Sequence, residues 1–95
     1  MLKLEIENSY KKDLKLAIKQ NLLTQEISDR LKFAIDTLQI PKPLEKEYNP
    51  HPLSGDYKGY FDCHIKGDFV LVYKLSDTAL HLVRVGRHTT IFKKY

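Results

Sequence analysis

All four of the chain's histidines fall in its last 45 residues, and three of them, His51, His64 and His88, are set among Asp62, Asp68, Lys58, Arg84 and a run of tyrosines, phenylalanines and glycines. An imidazole takes or gives a proton near neutral pH, a cationic side chain holds a phosphate, and an aromatic ring accepts an unstacked base. Together these residue types suit metal-free chemistry on RNA. Histidine and aspartate are also ordinary zinc ligands, but no tight His-x-x-x-His or Cys-pair spacing supports a metal centre. His81, inside a strand-like run, looks structural.

Whether three distant histidines can work together depends on the elements that carry them. Leu2, Leu4 and Ile6 alternate with charged residues, as in a strand with one buried face. Asn8 or Ser9 then caps a helix whose Tyr10, Leu14, Ala17 and Ile18 recur at helical spacing as far as Asn21. Thr24 is placed to cap a second helix, with Glu26 in its first turn and a stripe of Ile27, Leu31, Ala34, Ile35 and Leu38. Phe33 and Ile40 fall off that stripe and are expected to pack under the following loop. All four prolines lie between residues 41 and 52, so this stretch is a stiff connection that propagates no helix and donates few ladder hydrogen bonds. Residues 59–65, 69–75 and 80–85 read as three strands joined by hairpin turns. The second is apolar on both faces, which marks it as central.

Alternation along the first of these strands points Phe61, Cys63 and Ile65 under the helices and Tyr60, Asp62 and His64 the other way. His51 enters from the proline-rich loop, Asp68 follows at the hairpin, and His88 comes just after the last strand. Loop and strand-end positions of this kind can converge on one rim.

At 95 residues the chain is one small domain; its 16 Lys+Arg against 12 Asp+Glu give a net charge of +4, which favours polyanionic or acidic partners. A single cysteine, Cys63, excludes an internal disulfide and is expected to be a buried small hydrophobe, pointing to the cytoplasm. Nothing resembles a signal peptide, and no apolar run approaches a membrane span.

From residue 51 onward the chain resembles the YafQ branch of the RelE-like bacterial toxins, in the RelE/ParE superfamily. The likeness rests on His51-Pro52-Leu53-Ser54-Gly55, Lys58 to Ile65, Asp68 with Leu71-Val72-Tyr73-Lys74-Leu75, and Arg84-Val85-Gly86-Arg87-His88 with Phe92. The resemblance implies a compact α+β domain spanning residues 1–95, with two N-terminal helices on a mainly antiparallel four-stranded sheet. It also implies a cytoplasmic, ribosome-dependent endoribonuclease that cuts messenger RNA without a cofactor and is partnered by a cognate antitoxin. Operator DNA would be met only through the antitoxin complex, and no membrane is involved.

Cleavage through the neighbouring 2′-hydroxyl needs a base for that hydroxyl, an acid for the departing 5′-oxygen and a cation for the phosphate. By resemblance His88 is the general acid, while His51, His64 and Asp68 hold the other proton-transfer positions, any of which could be the immediate base. Arg84 matches the family's phosphate-stabilising arginine and Phe92 its base-contacting aromatic. Lys58, Arg87 and Tyr60 are expected to touch substrate, and Lys66, Lys93 and Lys94 to meet ribosomal or messenger phosphates. Tyr57 and Tyr60 are open between base stacking and half-buried packing. Two rival classes remain: a catalytically silent antitoxin-binding module that represses its own operon, which would arrest no growth, and a metal-dependent nuclease, which chelation would silence.

Overall fold

The computed structural model describes residues 1–92; Lys93 and Lys94, expected at the phosphate rim, lie outside the described residues. A short strand β1 (Lys3–Ile6) leads into helices α1 (Asn8–Lys19) and α2 (Gln25–Gln39). After the proline-marked connection come β2 (His51–Pro52), β3 (Phe61–Lys66), β4 (Phe69–Leu75), β5 (Ala79–Arg87) and a single-turn helix α3 (His88–Ile91). The sheet order is β1-β5-β4-β3-β2, with β1 parallel to β5 and every other neighbour antiparallel.

The α+β class and the two helices agree with the sequence expectation, but the sheet has five strands rather than four and a third helix closes the described chain. Prolines argue against β2, yet it forms because it is short and lies on the sheet's edge. Leu53 N–H donates to the Tyr60 carbonyl, so the inward-facing amides of this edge are those of alternate residues and the missing N–H of Pro52 faces outward. Helix α3 is one turn long, too short to leave a periodic signature.

Thr24 caps α2 as its position suggests, its hydroxyl accepting from Ile27 N–H at 3.2 Å. Thr24→Ala is expected to lower unfolding free energy by about 1 kcal/mol in urea titrations. The stripe of α2 buries Leu31, Ala34 and Leu38 against Cys63, Ile65, Leu71, Leu80, Leu82 and Val85 of the sheet, with Tyr10 and Ala17 of α1 completing the main core. Ile18, by contrast, is 56% exposed. Burial pushes the Cys63 thiol up to about 12, so it is a core residue with no thiolate chemistry near neutrality.

Phe33 reaches the following loop and stacks on Tyr48 at 6.3 Å, but it and Ile40 stay about half exposed, at 50% and 47%. The loop is held instead by Arg30, which donates to the Ile65 carbonyl, pairs with Glu47 and lies over the Tyr48 ring. Among the described residues no helix is long and apolar enough to cross a membrane.

The face of the sheet away from the helices carries a smaller cluster in which Val70, Val72 and Ile91 are buried and Leu53, Tyr57, Tyr60, Val83 and Phe92 pack around them. β4, buried on both sides, is therefore central, as its two apolar faces indicate. On β5 the register with β4 shifts by one between Val72 and Tyr73, leaving Val83 as an extra residue. One row across this second face then reads His51, Asp62, Val72, Arg84, and the next His64, Val70, Gly86.

Candidate active site

Three devices bring the histidines together on that second face. The β2–β3 pairing sets His51 directly opposite Asp62, so both side chains rise on the same side of the sheet. His64 follows Asp62 by two residues and shares its face. His88 begins α3, its backbone N–H donating to the Asp68 carbonyl at 2.8 Å. The imidazoles form a row, with ring centres 6.3 Å apart for His51 and His64 and 6.4 Å for His64 and His88. Phe92 extends the row, 4.6 Å from the His88 ring.

Asp62 is wholly buried beside this row, with His51 Nε2 2.9 Å from its Oδ1. The approach is poorly aligned, and neither carboxylate oxygen has a well-formed hydrogen bond among the described residues. Desolvation raises the Asp62 carboxyl above the usual carboxylate range, opposed by His51, then His64 and His88. Strand alternation puts Asp62 on this face, but no local signal tells a buried carboxylate from a solvated one, so its part in the site is visible only in the fold.

Hydrogen-bond chemistry separates the first two histidines. His51 Nδ1 lies 2.9 Å from the Asn49 carbonyl oxygen. A carbonyl only accepts, so that nitrogen carries the proton. Nε2 then faces the Asp62 carboxyl at 2.9 Å, close enough for each group to feel the other's charge. His64 Nδ1 likewise donates to the Gly67 carbonyl, at 3.2 Å. That carbonyl is placed by the β3–β4 hairpin, where Gly67 has φ +54° at the first turn position, as a type II′ turn requires. Because Nδ1 keeps its hydrogen, Nε2 is the nitrogen that carries the lone pair when the His64 ring is neutral. Among the described residues the His88 ring has no hydrogen-bond partner.

Asp68 is placed differently from its expected company. Its carboxylate accepts from Thr89 at 3.4 Å while its backbone carbonyl holds the start of α3. It lines a neighbouring groove with Leu22, Ile27, Lys66, Phe69 and Arg87, whereas Asp62 lines the histidine cleft with His51, Leu53, Ser54, Tyr57, His88 and Phe92. That open cleft of about 250 Å³ is at the small end for ligand sites and suits one nucleotide of a strand.

The expected substrate contacts are dispersed. Phe92 lines the cleft. Tyr60 packs edge-on against Tyr57 with Lys74 over its ring, a half-buried packing position. Lys58 and Arg87 are exposed, Arg87 beside the neighbouring Asp68 groove, with no ion-pair partner among the described residues, whereas Lys66 pairs with Glu26. Arg84 is not a free cation: its Nε and Nη2 donate to Asp13 of α1 at 2.6 and 3.1 Å, and Nη1 donates to the Tyr57 hydroxyl at 3.2 Å. Those hydrogen bonds, Asp13 first, raise the Arg84 pKa. His81 sits 3.6 Å from Glu7, away from the row. Among the described residues no group of three His, Cys, Asp or Glu side chains is arranged to hold a metal ion.

Comparison with known proteins adds to this geometry. Residues 2–93 match the family model described as the bacterial toxin of type II toxin–antitoxin systems, YafQ. The chain is 41% identical over 91 residues to the mRNA interferase toxin YafQ of Escherichia coli strain K12, covering 94% of each protein. Its fold matches the crystal structure of YafQ from E. coli strain BL21(DE3), with a TM-score of 0.85 and 33% identity over 97% of this chain and 99% of that one. It also matches a chain of the E. coli DinJ-YafQ toxin–antitoxin complex, with a TM-score of 0.82 and 37% identity over 96% and 97% of the two chains.

Proposed function

The chain belongs to the YafQ family of toxins from bacterial type II toxin–antitoxin systems, and from that premise we propose that it is a ribosome-dependent endoribonuclease cleaving messenger RNA. The observation that carries the reading is the row of three imidazoles flanking a buried carboxylate, its two ends, His51 and His88, lining a cleft of nucleotide size with His64 between them. Its neutral lone pair makes His64 the base that takes the proton of the 2′-hydroxyl as that oxygen attacks the adjacent phosphorus. His88 gives a proton to the departing 5′-oxygen, leaving a 2′,3′-cyclic phosphate and a 5′-hydroxyl. His51, held beside the Asp62 carboxyl, acts as the cation next to the crowded phosphate when its ring is protonated. Asp68 acts through its backbone by anchoring the turn that carries His88. Phe92 offers a face for the flanking base, and Lys58 and Arg87 supply rim cations for the backbone.

So small a domain cannot orient a flexible strand alone. The ribosome supplies that orientation, and free RNA should be cut poorly. The partner that silences the toxin in the cytoplasm is an antitoxin, as in the E. coli DinJ-YafQ complexes of the same fold, and operator DNA is reached only through that complex. Mapping message 5′ ends after brief induction tests the reading. New ends in translated messages, carrying 5′-hydroxyls and appearing with growth arrest, are expected. Neither cuts nor arrest would instead identify a silent antitoxin-binding module.

A further inference from the structure

Five side chains form a continuous relay from α1 to His88, the proposed acid of the reaction. Asp13 holds Arg84 in a two-pronged pair and also accepts from Val85 N–H at 3.1 Å. Arg84 holds the Tyr57 hydroxyl. Tyr57 meets Phe92 edge-on at 5.4 Å, and Phe92 meets His88 at 4.6 Å. The outer part of the relay, Asp13 and Arg84, is largely buried, with side chains 14% and 26% exposed, and Arg84 does not line the histidine cleft whereas Tyr57 does.

A bidentate arginine–carboxylate pair is directional and strong when partly buried. Moving Arg84 onto a phosphate would leave Asp13 with one backbone partner in a poorly solvated position, which is costly. We propose that Arg84 is a positioning residue rather than a phosphate ligand: the Asp13–Arg84 pair fixes Tyr57, and Tyr57 fixes the Phe92 wall and the His88 ring at the cleft. This inference rests on the ribonuclease reading, since it assigns Arg84 a place in that same site. Tyr57 joins the site as the residue through which the pair acts.

The position of Arg84 explains why a tyrosine stands there. A phenylalanine would fill the same space and keep both edge contacts, but it would lose the hydroxyl that receives the guanidinium. Small displacements of a reacting group are expensive, up to about a hundredfold in rate for roughly 1 Å.

The test uses the full chain on programmed ribosomes. Tyr57→Phe is expected to slow cleavage at saturating ribosomes about tenfold while KM stays within about twofold. Arg84→Lys, which keeps the charge and loses the fork, should do the same, and the double variant should be no slower than either single one. Parental cleavage by Tyr57→Phe would overturn the inference. So would a raised KM in Arg84→Lys with losses that multiply in the double variant, the signature of direct phosphate binding. The His88 ring resonances, followed by NMR without substrate, give a second measurement: Tyr57→Phe should move them and leave those of His81 in place. Unmoved His88 signals would sink the relay even if the parent protein cut no RNA, whereas a parent that cuts nothing but shows the shift would sink only the ribonuclease reading.

Discussion

His88→Ala is expected to cut cleavage of ribosome-bound message by about 10²–10⁴-fold while leaving the fold intact, the loss typical of one acid–base group. The two halves of that expectation have separate grounds. His88 is exposed at the start of α3, and its anchoring hydrogen bond to Asp68 uses backbone atoms that alanine retains. The ring's own contact is with Phe92, so stability should change by no more than about 0.5 kcal/mol. Single-turnover kinetics with a melting curve on the same sample separates the effects. Cleavage at the parental rate would mean that the leaving oxygen gets its proton elsewhere.

Asp62→Asn should separate activity from stability in the opposite direction. Burial holds the Asp62 carboxyl above its ordinary range, and the three histidines only partly offset this. The folded chain therefore retains that proton to higher pH than the unfolded chain does. The associated stabilisation is complete below the ordinary carboxylate range and is lost as pH rises through the raised value. At neutral pH the buried carboxylate costs stability. Asparagine, of the same shape and without the charge, should melt at an equal or higher temperature at pH 7, and that advantage should vanish in acid, where Asp62 is protonated in both states. Cleavage should nonetheless fall about tenfold to a hundredfold, because His51 loses the carboxyl charge that stands 2.9 Å from its Nε2. Melting curves at neutral and acid pH, paired with cleavage assays, check both parts. An Asp62→Asn protein that melts lower at pH 7 would contradict the assigned cost of the charge.

The pairing of these two expectations follows from how the cleft is built. Its floor is a buried carboxyl that folding alone would not select, and His88, the proposed acid, stands at the end of a strand where little packing depends on it. The main core lies on the opposite face of the sheet, between β3, β4, β5 and the two long helices, so the site can be altered without opening that core.

Much of this was legible in the residues themselves. The stripe of α2, the Thr24 cap, the central place of β4 and the facing of Phe61, Cys63 and Ile65 against Asp62 and His64 all follow from local periodicity, which depends on neighbours a few residues away. The motifs from His51 to Phe92 carried the family. Tertiary structure decided what is not local. Strand register set His51 opposite Asp62 and made a bare aspartate the buried partner of the row. Packing across 71 residues gave Arg84 to Asp13, and the hairpin turned the Asp68 carboxylate towards Thr89 rather than to the imidazoles. Which donor meets which acceptor depends on strand offsets and on which charges water can still reach, and neither is written in the spacing of residues along the chain.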